Sequence, residues 1–425
     1  MEQREDWYRA RRYLQFDRPC SRETARRIVE NPERVASNSF HPFIGVDQKI
    51  PRYKRLINEV EIKVRSISFA SHVDSHIYAY YSQLISECLE FYYKQSSLNL
   101  NDAVIAYRKL RRSNVHFAKE IFDEIGKRQE CEVLTFDVSG FFDNLDHQLL
   151  KVKWCEILGL SELPLDHYKV FRSLTRHSRI MREDILSTLD LDLHDLKRLQ
   201  RNSRPICTTE EFRSELRNLI IINENNHGIP QGSPISAVLS NLYMCDFDAR
   251  MVHLADSIGG IYRRYSDDIA FVIPIGYANI VEDEFQSALD AVKLVSNKDK
   301  TTRSVFRRNV DGELSCDVTL QYLGFTFDGK NILIRPQSIG RYHRKLRKRI
   351  KAEYFRALAN ESVVIRRKDI YKRYSHLGRK NFIRYVINAN KIMKSRGIKR
   401  QIRKHMNFID REVCRQEARL TQQNI

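Results

Sequence analysis

The sequence predicts an α+β chain: an antiparallel sheet with carboxylates at its strand ends, helices behind it, and a basic helical block after it. Three observations predict this. Two short apolar stretches with strand character, CEVLTFD and GIYRRYSDDIAFVIP, run into aspartates. Longer stretches with helical periodicity lie between and around them, among them SHIYAYYSQLISECLEFYYKQ and VEDEFQSALDAVKLVSN. The charge is also divided unevenly. Of 73 Lys and Arg residues, 27 lie in 331–425 against 6 Asp and Glu, whereas residues 1–330 carry 46 basic and 48 acidic groups. Nearly all of the net charge of +19 therefore sits in the last quarter.

At 425 residues the chain is longer than one compact domain usually is, so two or three lobes are expected. A hydrophobic content of 42% supports real cores and excludes a disordered chain. No apolar run approaches the roughly 18 residues of a membrane span; the best, residues 269–281, is broken by Pro274, Gly276 and Asn279. The opening MEQREDWYRARRYLQF has no signal-peptide core. The eight cysteines are scattered without a CxxC pair, which argues against a zinc ribbon or a secreted disulfide scaffold. A cytoplasmic chain with reduced thiols, away from the membrane, is the expectation.

In chain order, residues 1–60 are polar, with Pro19, Pro32, Pro42 and Pro51 punctuating short helices. IKVRSISFAS alternates and predicts a strand, followed by the long helix quoted above. NVHFAKEIFDEIGKR is helical, CEVLTFDVS a buried strand and FFDNLDHQLLKVKWCEILG a helix. Residues 160–225 read as charged and mostly helical. GIPQGSPIS is a turn before the helix AVLSNLYMCDFDARMVHLA. Two strands then meet at a tight turn, Ser266-Asp267-Asp268, and LQYLGFTFD and NILIRP pair around Asp328-Gly329. In the basic block, Ile350, Tyr354, Phe355 and Leu358, and later Phe382, Ile383, Tyr385, Val386 and Ile387, are threaded through the charge as in amphipathic helices. A block of this charge attracts a polyanion, nucleic acid foremost; the alternative is a solvated basic tail.

The candidate chemistry lies in Asp137 and in the adjacent pair Asp267-Asp268. Neighbouring carboxylates between apolar flanks repel one another and are costly to bury uncompensated. A divalent cation removes that cost, and hard oxygen ligands with room for phosphate suit Mg²⁺. Two such ions held by carboxylates from two strands suit in-line phosphoryl transfer. A bare Asp-Asp on a hairpin can equally be a solvated turn.

The motifs around these acids resemble those of reverse transcriptases, in that superfamily's order. FDVSGFFDNLDH (136–147) resembles motif A, GIPQGSP (228–234) motif B, and Tyr265-Ser266-Asp267-Asp268 the YxDD of motif C. Asn297 with Lys300-Thr301 resembles motif D, and LQYLGF (320–325) motif E. The resemblance covers roughly residues 60–330. It implies a right-hand polymerase fold: a 1–62 N-terminal extension, fingers and palm over 63–330, and a basic helical thumb over 331–425. It also implies roles. Asp137, Asp267 and Asp268 would bind two Mg²⁺ ions. The Ser139, Gly140 and Phe141 amides would meet the triphosphate. Phe142 would pack under the sugar and select dNTPs, its alternative being a core phenylalanine. Gln231 and Gly232 would line nucleotide and template, and Lys300 would neutralise or protonate the leaving pyrophosphate. Lys63 and Arg65 would clamp the triphosphate, with Arg108 and Lys109 as further candidates. Asn144, Asp146 and His147 read as capping and turn residues.

Further stretches, among them WYRARRYLQFD, RSISFASHVDSHIYAYYSQLI and VIAYRKL, resemble the bacterial defence-associated "unknown group" of reverse transcriptases, class 2 most of all. Retron enzymes typically carry YADD, an NAxxH element and a VTG triplet; Ser266 stands in motif C here and the other two are not found. The resemblance implies a partner noncoding RNA copied into cDNA in an anti-phage response. A retron-type enzyme making unit-length cDNA and a catalytically silent RNA-binding scaffold remain the alternatives. On either reading the basic block would grip phosphates without reading sequence, most densely through Arg341, Arg344, Lys345, Arg347, Lys348 and Arg349.

Overall fold

The computed structural model describes residues 7–54 and 59–423. Its strands are, in chain order, β1 (Phe43–Lys54), β2 (Glu59–Phe69), β3 (Cys131–Asp137), β4 (Ser178–Met181), β5 (Ile221–Ile222) and β6 (Ile261–Tyr265). There follow β7 (Asp268–Ile273), β8 (Thr302–Arg308), β9 (Leu314–Cys316), β10 (Leu320–Tyr322), β11 (Phe325–Phe327) and β12 (Ile332–Ile334). They form sheets in the orders β2-β1-β4-β5, β6-β7-β3-β8-β9 and β10-β11-β12. The α+β expectation holds.

β3 is the centre of the five-stranded sheet and is buried at every position. Its side chains alternate between two cores, as a pleated strand requires. Leu134 and Phe136 point into the core shared with the Ala278–Ala291 helix, where Phe136 stacks on Phe285 at 3.9 Å. Cys131 and Val133 face the Asn114–Arg128 helix through Ile121 and Phe122. With helices on both faces, the strand's polar end has one place to emerge, and that end is Asp137.

Several elements differ from the sequence reading. β1 lies within the stretch read as short helices, because Pro51 is tolerated where β1 leaves the shared part of its sheet: only Phe43–Gly45 pair with β4. β1 pairs with β2 along its length, so the expected boundary at 62/63 falls inside a strand, and Trp7 and Val29 belong to the same core as Phe136. The boundary at 330/331 likewise falls in the β11–β12 hairpin. β4 and β5 lie in the segment read as mostly helical, and β8 and β9 follow the motif-D-like stretch. β4 and β5 are short, and β8 (TRSVFRR) puts charged residues on its solvent side, so its apolar signal is thin. The AVLSNLYMCDFDARMVHLA helix is two helices, Ser236–Tyr243 and Cys245–Ser257, that break at Met244.

The basic block folds on its own core. Tyr342, Leu346 and Ile350 of the Pro336–Ala359 helix pack on Ile409, Val413 and Leu420 of the His405–Gln423 helix. Ile350 and Tyr354 face inward as expected, whereas Phe355 and Leu358 are exposed. The Phe382–Met393 helix joins this core to the sheet: Ile383 enters one, Val386 and Ala389 the other. No helix among the described residues is long and apolar enough to cross a membrane.

Candidate active site and nucleic-acid interface

Asp137 closes β3 and Asp268 opens β7, and the two are Cα partners in the antiparallel ladder. Asp267 lies on the two-residue turn between β6 and β7, and its carbonyl accepts from the Val138 amide at 3.3 Å. The turn needs a left-handed residue, which Ser266 supplies at φ 63°. Ser266 is held by the Tyr107 hydroxyl at 2.9 Å. Beneath it, Arg264 and Asp248 form a fully buried, two-pronged ion pair at 2.7 and 2.5 Å. The Tyr262 hydroxyl donates to the same carboxylate at 2.6 Å, and Arg264 also donates to the Ser266 carbonyl at 3.3 Å. A buried ion pair contributes little net stability, but it specifies geometry when every partner is in place. Here it fixes the turn that carries the acids.

Asp268 lies close enough to the other two carboxylates to feel their charge. Asp268 reaches solvent, yet the protein mass around it, with Asp267 and Asp137 beside it, pushes its carboxyl up to about 6 against the partial relief of Lys300 and Arg335. Lys300 forms an ion pair with Asp137. Its position is set by Asn297, whose amide donates to the Asp137 carbonyl at 2.7 Å and whose carbonyl accepts from the Lys300 amide at 3.0 Å. Asp137, Asp267, Asp268 and Lys300, separated by up to 163 positions in sequence, thus converge at one sheet end. Three hard carboxylates with more negative charge than Lys300 and Arg335 offset are of the donor type that suits Mg²⁺. Their oxygens do not all lie within 4.8 Å of one another, a spacing that among the described residues is met by Asp192, His194 and Asp195, so the three aspartates would have to draw together around an ion.

The expected nucleotide residues surround this end less uniformly. The Ser139 amide, expected to face a phosphate, donates to the Val295 carbonyl at 2.8 Å instead. Gly140 is left-handed at φ 53°, with Asn144 Nδ2 closing the turn onto the Ser139 carbonyl at 3.0 Å. Phe141 is buried; Phe142 is half-buried, and its carbonyl takes the Ile229 amide at 2.9 Å. The 228–234 loop therefore rests on the 138–143 turn. Its other side rests on the edge of β2, where the Ser68 amide donates to the Gln231 carbonyl at 2.8 Å. Gly232 permits this approach: at φ 112°, a Cβ would sit 2.8 Å from the Ser68 carbonyl oxygen. Asp146 caps the following helix through the Leu149 amide at 2.9 Å, and His147 Nε2 meets the Gly228 carbonyl at 2.8 Å, as capping and turn roles require.

Lys63 and Arg65 lie on β2. Burial raises the Asp143 carboxyl while Arg179 and Lys63 pull it down, which places both cations beside it. Asp143, Arg179, Ser66 and Gln231 line a cavity of about 440 Å³. Arg179 was not singled out from the sequence, because β4 carries no periodic signal; here it donates to Ser66 Oγ at 2.9 Å. Arg108 is committed elsewhere: it holds Glu90 at 2.7 Å and the Val104 carbonyl at 2.7 Å.

On the Pro336–Ala359 helix, Arg341, Arg344, Lys345, Arg347 and Lys348 are exposed. Arg349 departs from the expected surface set. It turns inward to the buried Glu353 at 2.6 Å, where its charge offsets a carboxylate. Arg347 pairs with Glu412 at 3.4 Å and lies 5.3 Å over the Phe408 ring. Arg341 and Lys345 join Lys372, Arg373, Arg379 and Lys380 around a cleft of about 1090 Å³. The last four come from a segment 30 residues further on, and only the helix packing brings them into one cleft. Asp369 is the sole acid in its lining, and Tyr342, Tyr374 and Phe382 supply aromatic faces.

No protein-family model matches the chain, and no curated protein matches its sequence. Among solved structures, it is similar to the apo telomerase of Candida tropicalis, truncated from the C-terminal domain, at 10% identity and a TM-score of 0.43 over 75% of this chain and 61% of that one. The fuller apo telomerase of Candida tropicalis aligns at 10% identity and a TM-score of 0.42, covering 93% of this chain and 64% of that one. Telomerase from Candida albicans, in complex with a fragment of telomeric RNA, aligns at 12% and 0.40, covering 93% and 65%. The chain spans less than two thirds of the length of each of these proteins.

Proposed function

We propose that the chain is a Mg²⁺-dependent RNA-directed DNA polymerase that copies a partner noncoding RNA into cDNA from dNTPs, as part of anti-phage defence. The observation that carries the catalytic half is the meeting of Asp137, Asp267 and Asp268 at the end of one antiparallel ladder beside Lys300. In this reading the five-stranded sheet is the palm, the β1–β2 sheet belongs to the fingers and the basic helical block is the thumb. The sequence resemblance to class 2 of the defence-associated group supports the biological half.

Asp137, Asp267 and Asp268 would hold two Mg²⁺ ions, which when bound supply Lewis-acid stabilisation of the attacking and leaving oxygens. The chain's own residues do the rest. Lys300 holds a proton on Nζ where the leaving pyrophosphate needs one. The Gly140 amide, on the exposed turn after Asp137, meets phosphate oxygens, with Phe141 buried behind it, while Lys63 brings a cation from β2. The 228–234 loop, pinned between β2 and the 138–143 turn, presents Gln231 to the nucleotide and template. The Phe142 ring fills the space that a 2′-hydroxyl would need. The cleft between Arg341 and Lys380 holds the backbone of the bound nucleic acid without reading its sequence.

The test pairs the wild type with the Asp267→Ala/Asp268→Ala variant, each purified with the RNA it carries and supplied with Mg²⁺ and labelled dNTPs or NTPs. DNA complementary to the bound RNA, made by the wild type alone, is the expected result; repeated units support the class 2 reading and unit-length products the retron type. RNA retained by both proteins with DNA from neither, under varied primers and metals, would leave an RNA-binding scaffold.

A further inference from the structure

Residues 10–19 cross the Leu193–Arg201 helix and the turn that follows it. Gln200 Nε2 donates to the Arg12 carbonyl at 2.6 Å, and the Ile206 amide donates to the Gln15 carbonyl at 2.8 Å. Between the two segments lies a cavity of about 610 Å³ whose lining includes Arg11, Arg12, Arg201 and Arg204 and no carboxylate. The Tyr13 and His72 rings, stacked at 5.4 Å, form part of its wall. Tyr13, Leu14 and Gln200 also wall a second cavity of about 350 Å³. Its floor is apolar (Ile44, Val46, Phe69, Leu196 and Ile206), and Arg182 and Lys197 stand at its rim.

Four arginines line one cavity, Arg11 half-buried and Arg12, Arg201 and Arg204 exposed at its mouth, in the part of the chain where acids and bases balance. Among the described residues none of the four forms an ion pair with a carboxylate: Arg11 donates to the Arg9 carbonyl at 3.3 Å, and Arg12 is anchored through its backbone. Burial pushes the Arg11 pKa down, the mark of a cation held without an anion. Guanidinium forks match phosphate oxygens in pairs, and an apolar compartment beside them takes a flat, weakly polar ring.

We infer that this double cavity is a second nucleotide site, remote in composition from the carboxylate cluster, that takes a nucleoside phosphate: phosphates on Arg11, Arg12, Arg201 and Arg204, and the base against Phe69 and Leu196. The nucleotide is either free or an unpaired nucleotide of a bound RNA. The inference does not depend on polymerase activity, since none of the three aspartates lines either cavity.

The probes are MANT-ATP and a fluorescein-labelled 12-nucleotide oligo(A), both in EDTA so that metal-dependent binding at the aspartates is removed. Wild type and the Asp267→Ala/Asp268→Ala variant are expected to bind alike. The Arg12→Gln/Arg201→Gln/Arg204→Gln variant, checked for an unchanged circular dichroism spectrum and Tm, is expected to lose about tenfold in affinity or more, since one charge-assisted bond is worth about that factor. The oligo(A) arm is compared in a background with Arg341, Lys345, Lys372 and Arg379 neutralised, so that the basic cleft does not hold the probe. MANT-ATP binding that oligo(A) does not displace identifies a free nucleotide as the ligand. Arginine-dependent oligo(A) binding without MANT-ATP binding identifies an RNA nucleotide. A folded triple variant that binds both probes as the wild type does, or a wild type that binds neither, overturns the site. Inorganic triphosphate competing as well as ATP overturns the base compartment.

Discussion

Arg264 and Asp248 are both without solvent exposure and face each other through two hydrogen bonds, directly under the turn that carries Asp267. Removing one partner leaves a buried charge uncompensated, which costs about 3–5 kcal/mol. Asp248→Ala is expected to lower stability by that order in urea melts. The double replacement Asp248→Leu/Arg264→Met should recover most of it, because two apolar groups leave no orphan charge. Polymerisation should not return with stability, since the Ser266 carbonyl loses its donor.

Asp268→Asn is expected to cut DNA synthesis on the order of a thousandfold, the several kcal/mol attributed to metal-assisted charge stabilisation. The same substitution should raise the Tm of the protein in EDTA, because it removes one of three mutually repelling carboxylates. A drop in both quantities would instead mark Asp268 as a folding residue.

Phe142→Ala tests discrimination at the sugar. Its expected outcome is a fall of roughly 10- to 200-fold in the preference for dNTPs over NTPs, the range that a steric gate of this size supplies. Incorporation of each nucleotide is measured on one primed template.

Neutralising Arg341, Lys345, Lys372 and Arg379 together should flatten the salt dependence of RNA binding. The slope of log K against log salt is expected to fall by about 0.7–0.9 for each lost phosphate contact. Arg349→Gln should leave that slope unchanged and lower stability, because it strips the buried Glu353 of a partner.

His76 predicts an acid-sensitive fold. Burial, with Arg11 and His72 nearby, lowers its pKa to about 4, and its Nδ1 has no hydrogen-bond partner among the described residues. Below the unfolded pKa of about 6.5 the unfolded chain binds a proton that the folded one refuses. Stability is therefore full above that pH and is lost as pH falls toward 4, by on the order of 2–3 kcal/mol at this one site. His76→Phe, which can keep the stack on Tyr8 (4.9 Å in the native pair), should shrink the difference between urea midpoints at pH 7 and pH 5.

What the sequence alone determined was mostly local. The buried run of β3, the turn at Ser266 and Asp267, the long helix His72–Gln95 and the amphipathic basic block are each written within one stretch of chain, where periodicity and turn chemistry are enough. The three aspartates and Lys300 were legible as types and by resemblance. Their meeting was implied by the resemblance and not by any pattern in the residues, since physically it depends on the Asp137–Asp268 register and on Asn297 binding the end of β3. Tertiary structure alone decided the rest. It gave β1, β4 and β8 their strand state through pairing rather than pattern. It took the Ser139 amide for Val295, turned Arg349 inward and gathered Lys372, Arg373, Arg379 and Lys380 into a cleft with Arg341. The common physical reason is that a charge or a backbone donor has no preferred partner in sequence. Its partner is whichever group packing brings within hydrogen-bond distance, and packing is a property of the whole chain.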